Sequence, residues 1–145
     1  MIRKMLMTMS LIAMLVLTGC ASVPMANKGA DAQAKQFMPS TDKAVVYIFR
    51  NESMGAAIKM PLLIDGQSVG DTAANTYLRK ELAPGTHTIV SKTEVDSTLT
   101  MDMQAGKTYY VWQEVKMGVF AARSALHQVD ETKGRQGVEQ CSLIL

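Results

Sequence analysis

The sequence predicts an all-β protein: a single Ig-like or transthyretin-like β-sandwich of seven or eight short antiparallel strands, preceded by a signal peptide and a flexible tether. Three observations carry that expectation. The turn dipeptides Asp65-Gly66, Pro84-Gly85 and Ala105-Gly106 recur about twenty residues apart, with strand-like runs on either side. Those runs are β-branched, aromatic or strictly alternating, the compositions that suit a pleated surface. After Ser40 no apolar spacing of helical period is long enough for a helix of ten residues.

The chain opens with Met-Ile-Arg3-Lys4, a short positive region. Met5 to Leu17 then carries no charge and includes Leu6, Leu11, Ile12, Leu15, Val16 and Leu17. This stretch is too short for a permanent membrane span, which needs about 20 residues, and it suits the apolar part of an export signal. It ends in Leu17-Thr18-Gly19-Cys20. The tetrapeptide resembles the bacterial lipobox, in which small residues precede the cysteine that is cleaved and acylated. The resemblance implies a signal peptide over 1–19 and a lipidated Cys20, with palmitate-type acyl chains, as the mature N-terminus. Two or three chains anchor stably where one is reversible. Ala21, rather than Asp, follows the cysteine, which by the same resemblance favours the outer membrane, periplasmic face, over the inner.

Residues 20–41 read as a tether, rich in Ala, Ser, Asn, Gln and Lys without a sustained apolar period; Ala30–Lys35 suits one helical turn. Such a tether would hold the domain on the order of 25 Å from the lipid. The folded domain is expected over 42–145. Ala44–Phe49 is an unbroken apolar run, as expected of a central strand buried on both faces. Lys59–Ile64 contains Pro61, which suits an edge or a strand start, and Asp65-Gly66 turns it into Gln67–Gly70. Thr76–Leu82 and Thr86–Lys92 flank Pro84-Gly85, where Pro presets φ and Gly accepts a positive one. Thr98–Met103 alternates, with Leu99, Met101 and Met103 on one face. Lys107–Val115 is the longest strand, and a last one is expected near Ser124–Val129. Asp130–Gln140 suits a short helix despite Gly134 and Gly137.

Composition narrows the function classes. The precursor has 15 basic and 13 acidic residues; Arg3 and Lys4 leave with the signal, so the mature side chains balance. A neutral chain has no electrostatic footprint for polyanions, and nucleic acid is not expected as a partner. Of the two cysteines, Cys20 is by the lipobox resemblance consumed by lipid, which leaves Cys141 expected as a small apolar residue in a final strand, the alternatives being an intermolecular bridge or a reactive thiol.

The runs Val45-Val-Tyr-Ile-Phe-Arg50, Ile64-Asp-Gly66 with Val69-Gly70, Leu82-x-Pro-Gly85-x-His87 and Ala105-Gly-Lys-Thr-Tyr-Tyr-Val111 occur in order. Together they resemble a family of small bacterial envelope lipoproteins whose domain has no known function, over roughly Lys43 to Val129. The middle section also resembles the PEGA-type surface module, without its literal motif. Neither resemblance implies a catalytic residue.

No residue set points firmly to chemistry. His87 and His127 lie far apart with no cluster of metal-ligand spacing, so no metal is expected. No Gly-x-Ser-x-Gly elbow is present. Asp65, Asp71, Glu81, Asp96 and Asp102 read as turn, loop or outward strand positions rather than an acid–base pair. Alternation puts Tyr109 and Val111 on one strand face and Tyr110 and Trp112 on the other, so one face offers aromatics either to a partner or to a covering layer. Arg50 is expected at the end of the first strand, paired with a surface carboxylate or an anionic group. The expectation is therefore a non-enzymatic, membrane-anchored binding or accessory module. It needs no cofactor beyond the lipid on Cys20, and it contacts another envelope protein through a strand edge or the Tyr109, Tyr110, Trp112 and Arg50 surface. The alternatives are a peptidoglycan- or glycan-contacting module and, third, a small hydrolase built on a histidine with a carboxylate or Cys141.

Overall fold

A computed structural model describes residues 19–145. The signal peptide up to Leu17-Thr18 lies outside the described residues, which begin with Gly19 and Cys20.

Strand β1 (Ala44–Arg50) is buried along its whole length. An unbroken apolar run demands this, because it needs a covering layer on each face. Around it lie β4 (Thr76–Leu82), β7 (Thr108–Lys116), β8 (Arg123–Val129) and β9 (Ser142–Leu143), in the order β8-β7-β1-β4-β9. The second sheet holds β2 (Met60–Ile64), β3 (Gln67–Thr72), β5 (Gly85–Ser91) and β6 (Ser97–Met103), in the order β3-β2-β5-β6. Between the sheets is one apolar core, with Val46, Ile48, Leu62, Leu78, Ile89 and Val111 at its centre.

The all-β sandwich is as the sequence predicts, with three differences. There are nine strands among the described residues, the extra one being the two-residue β9. Not all are antiparallel: β1 pairs β7 in parallel from Val45↔Thr108 to Phe49↔Trp112, and β4 pairs β9 in parallel. Five intervening strands bring the chain back to the end where β1 began, so the two central strands must run the same way. The turns also differ in kind. Asp65-Gly66 closes the β2–β3 hairpin with both residues at positive φ, 51° and 79°, as a primed turn requires. The connections at Pro84-Gly85 and Gln104–Gly106 instead carry the chain from one sheet to the other.

The outer face of the five-stranded sheet carries Val45, Tyr47, Phe49, Tyr77 and Tyr110, and two short helices cover it. Helix α1 (Lys28–Ala34) is capped by Asn27, whose side chain accepts the Ala30 N–H at 2.8 Å. Helix α2 (Glu131–Glu139) is capped by Asp130 through the Lys133 N–H at 2.9 Å. It lies close to the sheet because Gly134 and Gly137 face it: a Cβ on Gly134 would sit 2.1 Å from Tyr110 Cγ, and one on Gly137 2.1 Å from Phe49 Cε2.

The segment expected as a free tether does not stand clear of the domain. Ala21 N–H donates to Ala56 O at 2.8 Å, Ala26 N–H to Leu143 O at 3.0 Å, and Leu145 N–H to Pro24 O at 3.0 Å. Val23, Ala34 and Phe37 are buried. These apolar residues are too irregularly spaced to show a period, yet each fills a place on a surface that the rest of the chain has already built. Cys141 is buried in the turn just before β9 rather than within a strand, its thiol 3.5 Å from Arg50 O.

Candidate functional site

Of the residues expected to form a surface, Arg50 is the furthest from expectation. It is fully buried and meets carbonyls rather than a surface carboxylate. Its Nη1 donates to Ile58 O at 2.8 Å and Thr72 O at 3.4 Å, and its Nη2 to Gly55 O at 2.7 Å and Met54 O at 3.4 Å. Burial pulls the guanidinium pKa down, with Glu52 opposing. The planar fork of Arg suits this job, since one head group can satisfy several carbonyls at once. The 51–59 loop is thereby folded into a knob at the end of the sandwich.

Tyr109, Tyr110 and Trp112 alternate between faces as expected, but they do not form a shared open patch. Tyr109 packs on the inter-sheet core, and its hydroxyl accepts the Gln104 N–H at 2.9 Å. Tyr110 is buried, stacked on Tyr47 with centroids 5.5 Å apart, and covered by α2 at Gly134. Trp112 is half-buried, with the His127 ring at 5.3 Å and the Lys133 ammonium 4.4 Å from its ring centre. The covering layer has taken Tyr110, while Trp112 lines a recess of about 210 Å³ with Lys133 and Gln140.

Each histidine touches a carboxylate. His87 Nδ1 lies 2.6 Å from Asp65 Oδ2 and its Nε2 2.6 Å from Ala83 O. Both partners are acceptors, an arrangement that only the doubly protonated ring satisfies in full. The Ala83 carbonyl first, and the Asp65 carboxylate second, raise the His87 pKa; the His87 contact and the Thr88 N–H lower that of Asp65. A ring held this way has no free nitrogen to act as a base, and it ties the β2–β3 turn to the β4–β5 connection. His127 Nε2 lies 2.7 Å from Glu114 Oε2 on the neighbouring strand. Neither histidine has Cys141 among its partners, and burial pushes that thiol up to about 12. Among the described residues no three His, Cys, Asp or Glu side chains converge as metal ligands.

Two features do present unused surface. The first is the edge of β4. Strand β9 pairs only Thr76 and Tyr77, accepting nothing further along β4. The Asn75 and Tyr77 carbonyls face β9, so by alternation the N–H and C=O groups of Arg79 and Glu81 face the same way beyond its end. A groove of about 440 Å³ runs there, lined by Gln33 of α1 and Gln36 just after it, Leu78 and Lys80 of β4, and the C-terminal Ile144 and Leu145. The second is an apolar tip at the knob end. Phe120 is 94% exposed, Met117 81%, Val119 71% and Met54 52%, around a recess of about 370 Å³. Sequence reading passes over this tip; its one signal is the apolar run Met117-Gly-Val-Phe-Ala-Ala122 inside a connection between strands.

The family model described as a protein of unknown function, DUF2846, matches residues 40–125. An uncharacterized protein of Haemophilus influenzae is 34% identical over 131 residues, covering 89% of this chain and 78% of that protein.

Proposed function

This chain belongs to the DUF2846 family of proteins of unknown function, and from that premise we propose a lipid-anchored, non-enzymatic envelope module that binds another envelope protein along β4. The observation that supports the reading is the half-covered strand edge. Unpaired backbone groups on a β edge are a template for a further strand. Here the C-terminal strand stops after two residues, and a groove flanks the remainder. Main-chain pairing would supply affinity, and the groove walls would select side chains. The lipid on Cys20 places the module at a membrane, the outer one by the residue that follows.

In-cell photo-crosslinking tests it. A photoreactive residue in place of Gln36, beside the groove, should capture one discrete envelope protein; the same residue in place of Thr98, on the far sheet, should not. Glu81→Pro deletes an outward N–H without touching the bonds from β4 to β1, and it should abolish the crosslink while the fold persists. Cys20→Ser should abolish palmitate incorporation and release the protein from the membrane fraction. Undiminished capture by Glu81→Pro, or retention on purified sacculi in place of any protein crosslink, would overturn the edge-binding reading.

A further inference from the structure

We infer that the apolar tip at Met54 and Met117–Phe120 seats on the lipid bilayer, so that the domain rests on the membrane at a fixed orientation instead of hanging from it. This rests on the lipid-anchor reading of Cys20 and adds a second, non-covalent contact to it.

The position of the N-terminus selects the bilayer as occupant. Ala21 N–H is bonded to Ala56 O at 2.8 Å, in the same loop as Met54. Cys20 is one residue away, exposed and free. One residue of extended chain spans only about 3.5 Å. An acyl chain leaving the Cys20 sulfur therefore enters a membrane lying directly against this end of the sandwich. No slack separates the anchor from the tip.

The tip is also built to hold its apolar side chains outward. The Glu94 carboxylate accepts the Val119 N–H at 3.0 Å and the Phe120 N–H at 3.1 Å, and Arg123 Nε at 2.9 Å closes the cluster. Gly118 lets the loop fold this tightly, since a Cβ there would sit 2.3 Å from Glu94 Oε2 and 1.7 Å from Ala121 O. On the other loop Arg50 gathers the carbonyls of Met54, Gly55 and Ile58. In both loops several polar backbone groups are thus satisfied within the protein, which lowers the cost of bringing this end against the interface. Of the carboxylates at this end, Glu94 is charge-paired with Arg123, and Glu52 accepts the Val115 N–H at 3.0 Å. Lys116 lines the recess, its ammonium 3.5 Å from Glu114 and half-exposed, and its long stem can reach the headgroups.

The experiment uses the full lipoprotein extracted from its membrane and reconstituted into vesicles of phosphatidylethanolamine and phosphatidylglycerol, with and without brominated acyl chains. Tryptophan is placed at the tip (Phe120→Trp) or at the opposite end of the sandwich (Gln104→Trp), and its emission is read as the increment over the unchanged protein, which has one Trp. The expected result is a blue-shifted increment at 120, quenched by brominated lipid several-fold more than the increment at 104. Equal quenching at both positions, with lipid confirmed on Cys20 by mass spectrometry, would overturn this inference and leave the anchor intact. A tip increment that is blue-shifted without vesicles and deepens with protein concentration would also overturn it, in favour of self-association. Extracted protein without lipid on Cys20 would overturn the anchor and this inference together.

Discussion

Buried polar residues at the ends of the sandwich do the work that sequence patterns assign to surfaces. Arg50 reads as the exposed end of a strand, yet a guanidinium that gathers four carbonyls is better placed inside, where no water competes. His87 follows the Pro84-Gly85 connection, and when protonated its two bonds make it a charged clasp. The charge gives a pH prediction. The His87 pKa is raised above its ordinary 6.5, so its contribution is complete below that value and is lost as pH rises through the folded value. The Asp65 pKa is lowered below 3.8, so its contribution is complete above that value and is lost as pH falls through the folded one. The clasp therefore stabilises most between those two ordinary values. Thermal melts should show unchanged protein losing stability from mildly acidic to alkaline pH, with His87→Gln flattening that part of the profile.

At the scale of elements, the strands were legible because their signals are local. Alternation in Thr98–Met103 and the continuous run in β1 fix burial from neighbouring residues alone. Pairing was not legible. Pro84-Gly85 and Ala105-Gly106 look like hairpin turns, but a turn dipeptide specifies a reversal, not which sheet receives the next strand. The helices show the same division. The Asp130 cap announces α2, while its two interior glycines argue against a helix until the sheet beneath is seen. Gly134→Ala tests that account. Ala gains about 1 kcal/mol in intrinsic helix propensity, but its methyl would overlap the Tyr110 ring. Overpacking of this kind costs about 1–3 kcal/mol, so the variant should unfold at lower urea, with Tyr110 becoming accessible. A variant at least as stable as the parent would show that α2 does not need the close approach.

For the whole molecule, the decisive contacts link the two sheets at the Arg50 end. Gln113, fully buried on β7, accepts the Thr72 hydroxyl at 2.6 Å and donates to Ser91 Oγ at 2.6 Å, and Ser124 reaches Ser91 at 2.7 Å. The network joins β3 and β5 of one sheet to β7 and β8 of the other, beneath the loops that form the apolar tip. Gln113→Leu would take a partner from two buried hydroxyls, those of Thr72 and Ser91, at a cost of about 1–3 kcal/mol. It should lower the urea midpoint and raise amide exchange in the 51–59 and 117–122 loops before the rest of the domain. Uniform exchange across the chain would show that the network stabilises the fold without positioning the tip.

By itself the sequence determined the strands and the short second helix. Each of these depends on neighbours along the chain. Only the tertiary structure decided that Arg50 and Tyr110 are covered, that the segment after Cys20 lies on the domain, that half of the β4 edge is open, and that the apolar tip stands beside the N-terminus. Those facts join residues dozens of positions apart, and burial there depends on which surface arrives opposite. A pattern of period two reports which way a side chain points and carries nothing about what waits on that side.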